Sequence, residues 1–170
     1  SVESNSTLTD CTFTNNNAEY GGGLCNWSNS SPTLTDCTFT GNTSEFGGGG
    51  MYNDAGSNPT LITCSFKNNT ADDGGGILNI GSSPTLTDCT FTGNSANYGG
   101  GGMANYYNSS PELTYCTFID NTALYDGGGG MNNLGSSNPT LTNCTFTANT
   151  ADYVGGGMYN NEDSNPTLTN

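Results

Sequence analysis

The sequence predicts an all-β chain wound into a parallel β-helix, a β-solenoid of about six coils with three short strands in each. Two observations predict it. A phrase of the form Thr-Leu-Thr-Asp-Cys-Thr-Phe, at Cys11 and Cys37, returns around Cys64, Cys89, Cys116 and Cys144. The prolines Pro32, Pro59, Pro84, Pro111, Pro139 and Pro166 step by 27, 25, 27, 28 and 27 residues. A fixed period of this length marks stacked units, and apolar residues inside each unit alternate at two rather than at 3.6. One array is expected over 1–170, with coils at about 6–31, 32–58, 59–83, 84–110, 111–138 and 139–165, and the next beginning at 166–170. The array reads as incomplete at both ends.

The coil from Pro32 to Asn58 justifies each element in turn. Pro32 follows the polar turn Asn29-Ser30-Ser31 and opens the first strand, Thr33-Leu34-Thr35, with Leu34 inward. Leu34 and Cys37 are out of period-two phase, so a bend is expected at Asp36, where Asp or Asn tolerates the left-handed conformation. Asp10, Asp88 and Asn143 are its equivalents. Cys37-Thr38-Phe39-Thr40 is the second strand, with Cys37 and Phe39 inward. Asn42 ends it. A turn carrying Phe46 and the glycines Gly47 to Gly50 leads to the third strand, Met51-Tyr52-Asn53.

Stacking turns equivalent residues into ladders along the axis, about 4.8 Å apart. The inner ladders are Leu8/34/61/86/113/141, the cysteines Cys11, Cys37, Cys64, Cys89, Cys116 and Cys144, and the phenylalanines Phe13, Phe39, Phe66, Phe91, Phe118 and Phe146. Leu24, Met51, Ile77, Met103, Met131 and Met158 complete the core. An asparagine ladder, Asn16, Asn42, Asn69, Asn94, Asn121 and Asn149, is expected to satisfy its amides coil to coil. One coil has too few apolar groups to fold alone, and neighbours share the core. The recurrent glycine runs read as close backbone packing, since a phosphate loop needs a helix N-terminus and usually a lysine.

Charge narrows the partners. The net charge is −14, Lys67 is the only cation, and Arg and His are absent. Nucleic acid is excluded for want of a basic footprint, and anionic membranes are disfavoured. No apolar run is long enough to span a bilayer as a helix. Without histidine the commonest general base is missing, and no catalytic residues and no enzyme activity are expected.

The pairs Phe13–Asn16 with Gly22–Leu24, Phe39–Asn42 with Gly49–Met51, and Phe66–Asn69 with Gly75–Ile77 form a double motif: Phe-x-x-Asn, then Gly-Gly-x-[Ile/Leu/Met]. It resembles the paired motif of chlamydial polymorphic outer-membrane proteins and the right-handed β-helix repeats of large bacterial surface proteins. The resemblance implies a right-handed parallel β-helix at the cell surface or outside the cell, acting as an adhesin-like passenger. The crossover rule gives the same hand.

Four further features are candidates. The cysteine ladder reads as buried free thiols, because directly stacked Cβ vectors suit disulfides poorly and CxxC spacing is absent. Cys25 shares a position with Tyr52 and Tyr159, expected to point outward, and is a candidate intermolecular thiol. Glu19, Glu45 and Asp72 occupy equivalent positions and are calcium candidates, set against a solvated acidic edge. Thr12/Thr14, Thr38/Thr40, Thr90/Thr92 and Thr145/Thr147 form outward files that resemble an ice-binding face, while Tyr20, Phe46, Tyr98, Tyr125 and Tyr153 precede the glycines and suit carbohydrate or partner contact. The expected role is a non-enzymatic extracellular fibre or stalk that stacks end to end with copies of itself. An adhesin module for host or glycan surfaces is the alternative, with a carbohydrate lyase or hydrolase, or an ice-binding protein, behind it.

Overall fold

The type coil contains strands Thr33–Thr35, Thr38–Thr40, Thr43–Gly47 and Met51–Asp54. The computed structural model describes residues 4–170. Among these, each strand pairs in parallel with its equivalents one coil away, giving sheets of seven, six, six and six strands. We call them the Leu, Phe, turn and Met sheets. Leu8, Leu34, Leu61, Leu86, Leu113, Leu141 and Leu168 are in register, as are Phe13 through Phe146 and Leu24 through Met158.

The three strands expected from the sequence are all present. The turn sheet is an addition, lying where a turn with an aromatic was expected. From the ladder asparagine to the Met-sheet position, coil length varies from eight residues (Asn69 to Ile77) to ten (Asn121 to Met131). The turn sheet absorbs this variation as register shifts between Ala18 and Tyr20 and between Ala71 and Asp73.

Burial follows the ladders. Leu34, Cys37, Phe39, Met51 and their equivalents through Met131 form one continuous core, and Leu8, Cys11, Phe13, Leu24, Cys144, Phe146 and Met158 pack against it half-buried. Exact register forces the phenylalanine rings face to face, with centroids 4.6–5.0 Å apart and planes within 6°. From Cys37 to Cys144, each inner thiol donates to the Leu carbonyl one coil back, as in Cys64 Sγ to Leu34 O at 3.6 Å. All seven cysteines are free. Burial raises the Cys37 thiol above its ordinary value, so it stays neutral in this apolar setting.

Two bends turn each coil. Asp10, Asp36, Thr63, Asp88, Tyr115 and Asn143 all have φ of 52–54°. A second column, Asn15, Gly41, Asn68, Gly93, Asp120 and Ala148, precedes the ladder asparagines with φ of 52–63°. After it, Asn42 Nδ2 donates to Phe13 O at 2.9 Å and to Asn69 Oδ1 at 3.0 Å, while Asn69 Oδ1 also accepts from Asn42 N. The pattern repeats through Asn149. The glycine run lets the backbones close: a Cβ at Gly49 would lie 2.5 Å from Gly75 O and 2.6 Å from Thr70 O.

Candidate functional site

The outer face of the Met sheet carries a column whose chemistry changes at every coil: Cys25, Tyr52, Leu78, Ala104, Asn132, Tyr159. The expectation that this column is exposed needs correction. Tyr52 is 3% exposed, Leu78 4% and Asn132 3%. The turn sheet folds back over the column, close enough that a Cβ at Gly47 would overlap Leu78 Cδ2 and one at Gly99 would overlap Asn132 Nδ2. Tyr52, Leu78 and Ala104 thus form a second small apolar cluster outside the main core, with Ile80 and Tyr106 against it. Cys25 itself lies at the exposed rim, where partial burial and then the Asp54 carboxylate raise its thiol above the ordinary value.

Polar groups cross this second cluster. Coil three carries Asp73 in register with Gly47 and Gly99. Tyr106 Oη donates to Asp73 Oδ1 at 2.6 Å and accepts from Asn132 Nδ2 at 3.2 Å. Burial, then the neighbouring Asp73 charge, holds the Tyr106 phenol well above its usual range, so it remains a donor. Burial likewise raises the Asp73 carboxyl, against the lowering effect of the Tyr106 hydrogen bond. The chain of bonds ends at Asn132 Oδ1, a buried acceptor with no partner.

Beside Asn132 the surface opens into a cleft of about 230 Å³, flanked by Tyr98, Tyr106, Leu134 and Tyr159 with Asp126 and Glu162 at its edge. The extra length of coil five makes it. The turn-sheet strand there is only Thr122–Ala123, and the chain turns at exposed Asp126 and buried Gly127, with Asp126 Oδ1 accepting from Gly127 N at 2.7 Å. Gly127 has φ +84°, and a Cβ on it would lie 2.7 Å from Gly99 Cα and 2.9 Å from Asn132 Nδ2. Only glycine leaves the cleft floor open there.

The other candidates lie elsewhere. Glu19 and Glu45 are exposed, and half-buried Asp72 accepts from Asn97 Nδ2 at 2.6 Å. Among the described residues no three acidic, Cys or His side chains converge to hold a metal ion. Tyr20 sits 5.2 Å from Phe46, and Tyr98 5.8 Å from Tyr125, as ring centroids. The threonine files run in register on the Phe sheet, interrupted by Ser65, Lys67 and Ile119, and continue on the Leu sheet as Thr33, Thr60 and Thr85. Sequence reasoning missed a second asparagine column, Asn26, Asn53, Asn79, Asn105, Asn133 and Asn160, buried except at Asn160 and bonded amide to amide at 2.8–2.9 Å. Its signal was available: each stands two residues after the Met-sheet position. Asn26 and Asn42 both stand in Asn-x-Ser/Thr sequons, yet their amides are buried in these columns and closed to glycan attachment.

A comparison with curated proteins returns no match. The family model for the right-handed β-helix region matches residues 1–118, over half the chain. This agrees with the parallel, coil-by-coil pairing seen throughout the described residues. The chain belongs to the right-handed β-helix family.

Proposed function

We propose that the chain is a non-catalytic structural segment of an extracellular or cell-surface β-solenoid, a stiff rod or stalk. One observation carries this reading: in coil after coil, the buried polar groups close on their own equivalents. The two asparagine columns bond amide to amide, and Ser57, Ser109, Ser137 and Ser164 hydroxyls accept the backbone N–H one coil away. Such columns stiffen the axis and leave few polar groups for chemistry. They are also self-complementary, so copies stacked end to end extend the same ladders into a filament.

Adhesion is the second reading. It is favoured by the exposed aromatics beside the glycine turns, Phe46 at 45%, Tyr98 at 54%, Tyr125 at 62% and Tyr153 at 84% exposure. The resemblance to chlamydial surface passengers points the same way. A polyuronate lyase is the β-helix reading least suited to these residues. Its anionic substrate would meet a net charge of −14 with Lys67 as sole cation, exposed in line with Thr40 and Thr92.

Protease shaving of intact source cells tests the placement. Release of fragments of this chain from live cells is expected. Protection until lysis would overturn a surface role. Time-dependent depolymerisation of polygalacturonate by the purified chain, with or without calcium, would overturn the non-catalytic reading.

A further inference from the structure

We propose that the cleft over Asn132 binds one unit of a neutral saccharide. The proposal deepens the adhesion reading and rests on it. Its walls, Tyr98, Tyr106 and Tyr159 with Leu134, are amphipathic rings and an aliphatic group, which suit the C–H face of a sugar. Asp126, Glu162 and Asn132 Oδ1 are acceptors for the donors of a vicinal hydroxyl pair, and the Asn161 amide and the Tyr98 and Tyr159 hydroxyls can donate to its oxygens. The two charges at the cleft, Asp126 and Glu162, are negative, which excludes uronates and other acidic sugars. The volume of about 230 Å³ is below the ~300–1,000 Å³ of drug-sized pockets and matches a single ring rather than a chain.

Asn132 Oδ1 supplies the independent pointer to a ligand. A residue 3% exposed, with its amide N–H on Tyr106 and its carbonyl unpartnered, is an acceptor waiting for a donor. The same column tolerates Ala104 one coil back and Leu78 before it. The stack therefore does not require an amide here: the N–H of Asn132 serves Tyr106, and its carbonyl is left without a use in the fold. Asn132 Oδ1 is closed to solvent, and Gly127, whose Cβ would lie 2.9 Å from Asn132 Nδ2, lies against this amide at the cleft, so binding requires the Asp126-Gly127 turn to give way to a hydroxyl.

Affinity electrophoresis of the chain in gels containing mannan, galactan or mixed-linkage β-glucan tests this, with polygalacturonate as the acidic counterpart. Retardation is expected in at least one neutral gel and not in polygalacturonate. Asn132→Ala and, separately, Tyr98→Ala should each weaken retention tenfold or more, while Tyr153→Ala should not; Tyr98→Ala and Tyr153→Ala should melt close to the parent, and Asn132→Ala lower, since it loses the bond to Tyr106 Oη, but with an unchanged circular dichroism spectrum. Equal retention by the parent and Asn132→Ala, equal retardation by polygalacturonate, or retardation in no neutral gel would each overturn the cleft. Binding to whole host cells separates the two readings. If cells bind Asn132→Ala as they bind the parent, adhesion stands and the cleft fails; if they do not bind the parent, adhesion itself fails.

Discussion

Asn69→Ala measures what an amide column is worth. Asn69 is fully buried at the centre of the stack. Its Oδ1 accepts from Asn42 N at 2.9 Å and Asn42 Nδ2 at 3.0 Å, and its Nδ2 donates to Phe39 O and Asn94 Oδ1, each at 3.0 Å. Alanine removes all four. At about 0.5–1.5 kcal/mol net for each, the loss is ~2–6 kcal/mol, and the buried Asn42 N–H stranded by the change places it in the upper half of that range. Small domains have only about 5–15 kcal/mol in all. Urea unfolding followed by far-ultraviolet circular dichroism should therefore show a large fall in midpoint with little change in slope. Thr70→Ala, on the exposed side of the next residue, is the control and should move the midpoint little. A loss for Asn69→Ala below about 0.5 kcal/mol, the usual range for surface changes, would refute the idea that the column holds the coils together.

Four other outcomes follow from the structure. Thr63 holds φ 53° where four of the other five coils use Asp or Asn, so Thr63→Asn should raise stability by about 1 kcal/mol in the same urea assay. Gly49→Ala drives a Cβ into Gly75 O and Thr70 O and should cost at least about 2 kcal/mol; Gly41→Ala, at φ +63° but facing only the Asn15 side chain, should cost about 1 kcal/mol. Asp73 has a folded-state value raised above the ordinary 3.8, so its stabilising protonated form is complete below that and is lost as pH rises through the folded value. Asp73→Asn should then melt higher than the parent at pH 7, with the gap closing toward pH 3.8 in a calorimetric series. Under native conditions iodoacetamide should modify Cys25, more slowly than a free thiol because its thiol is raised, and leave Cys37, Cys64, Cys89 and Cys116 untouched, as read by peptide mass spectrometry.

Much of the scaffold was legible in the sequence because its period is imposed by backbone pairing. Leu34, Cys37, Phe39 and Met51 recur at near-constant intervals, and a parallel stack in register is the arrangement that buries all of them together. The bend at Asp36 was readable from a phase slip between Leu34 and Cys37. The bend before Asn42 was not, since Asn, Gly, Asp and Ala alternate there without a common side-chain signature. The turn sheet escaped notice because loop-length variation destroys period two. For the same reason the Tyr52 column was read as exposed: its cover comes from the turn sheet, whose path depends on one or two inserted residues. The cleft lies where those insertions are largest. Beneath it, Asp73, Tyr106 and Asn132 are linked from three coils, at column positions where the neighbouring coils hold Gly (beside Asp73), Ile and Leu (beside Tyr106) and Ala and Tyr (beside Asn132). A site built from exceptions to a repeat has no repeated signal to find.

Cryo-electron microscopy of the native material at the source cell surface tests the central claim most directly. A stack of paired coils that serves as a rod predicts straight, unbranched rods or filaments, marked by an antibody to this chain, with an axial repeat of ~4.8 Å. Labelled compact particles lacking that repeat, or label confined to the cell interior, would contradict it.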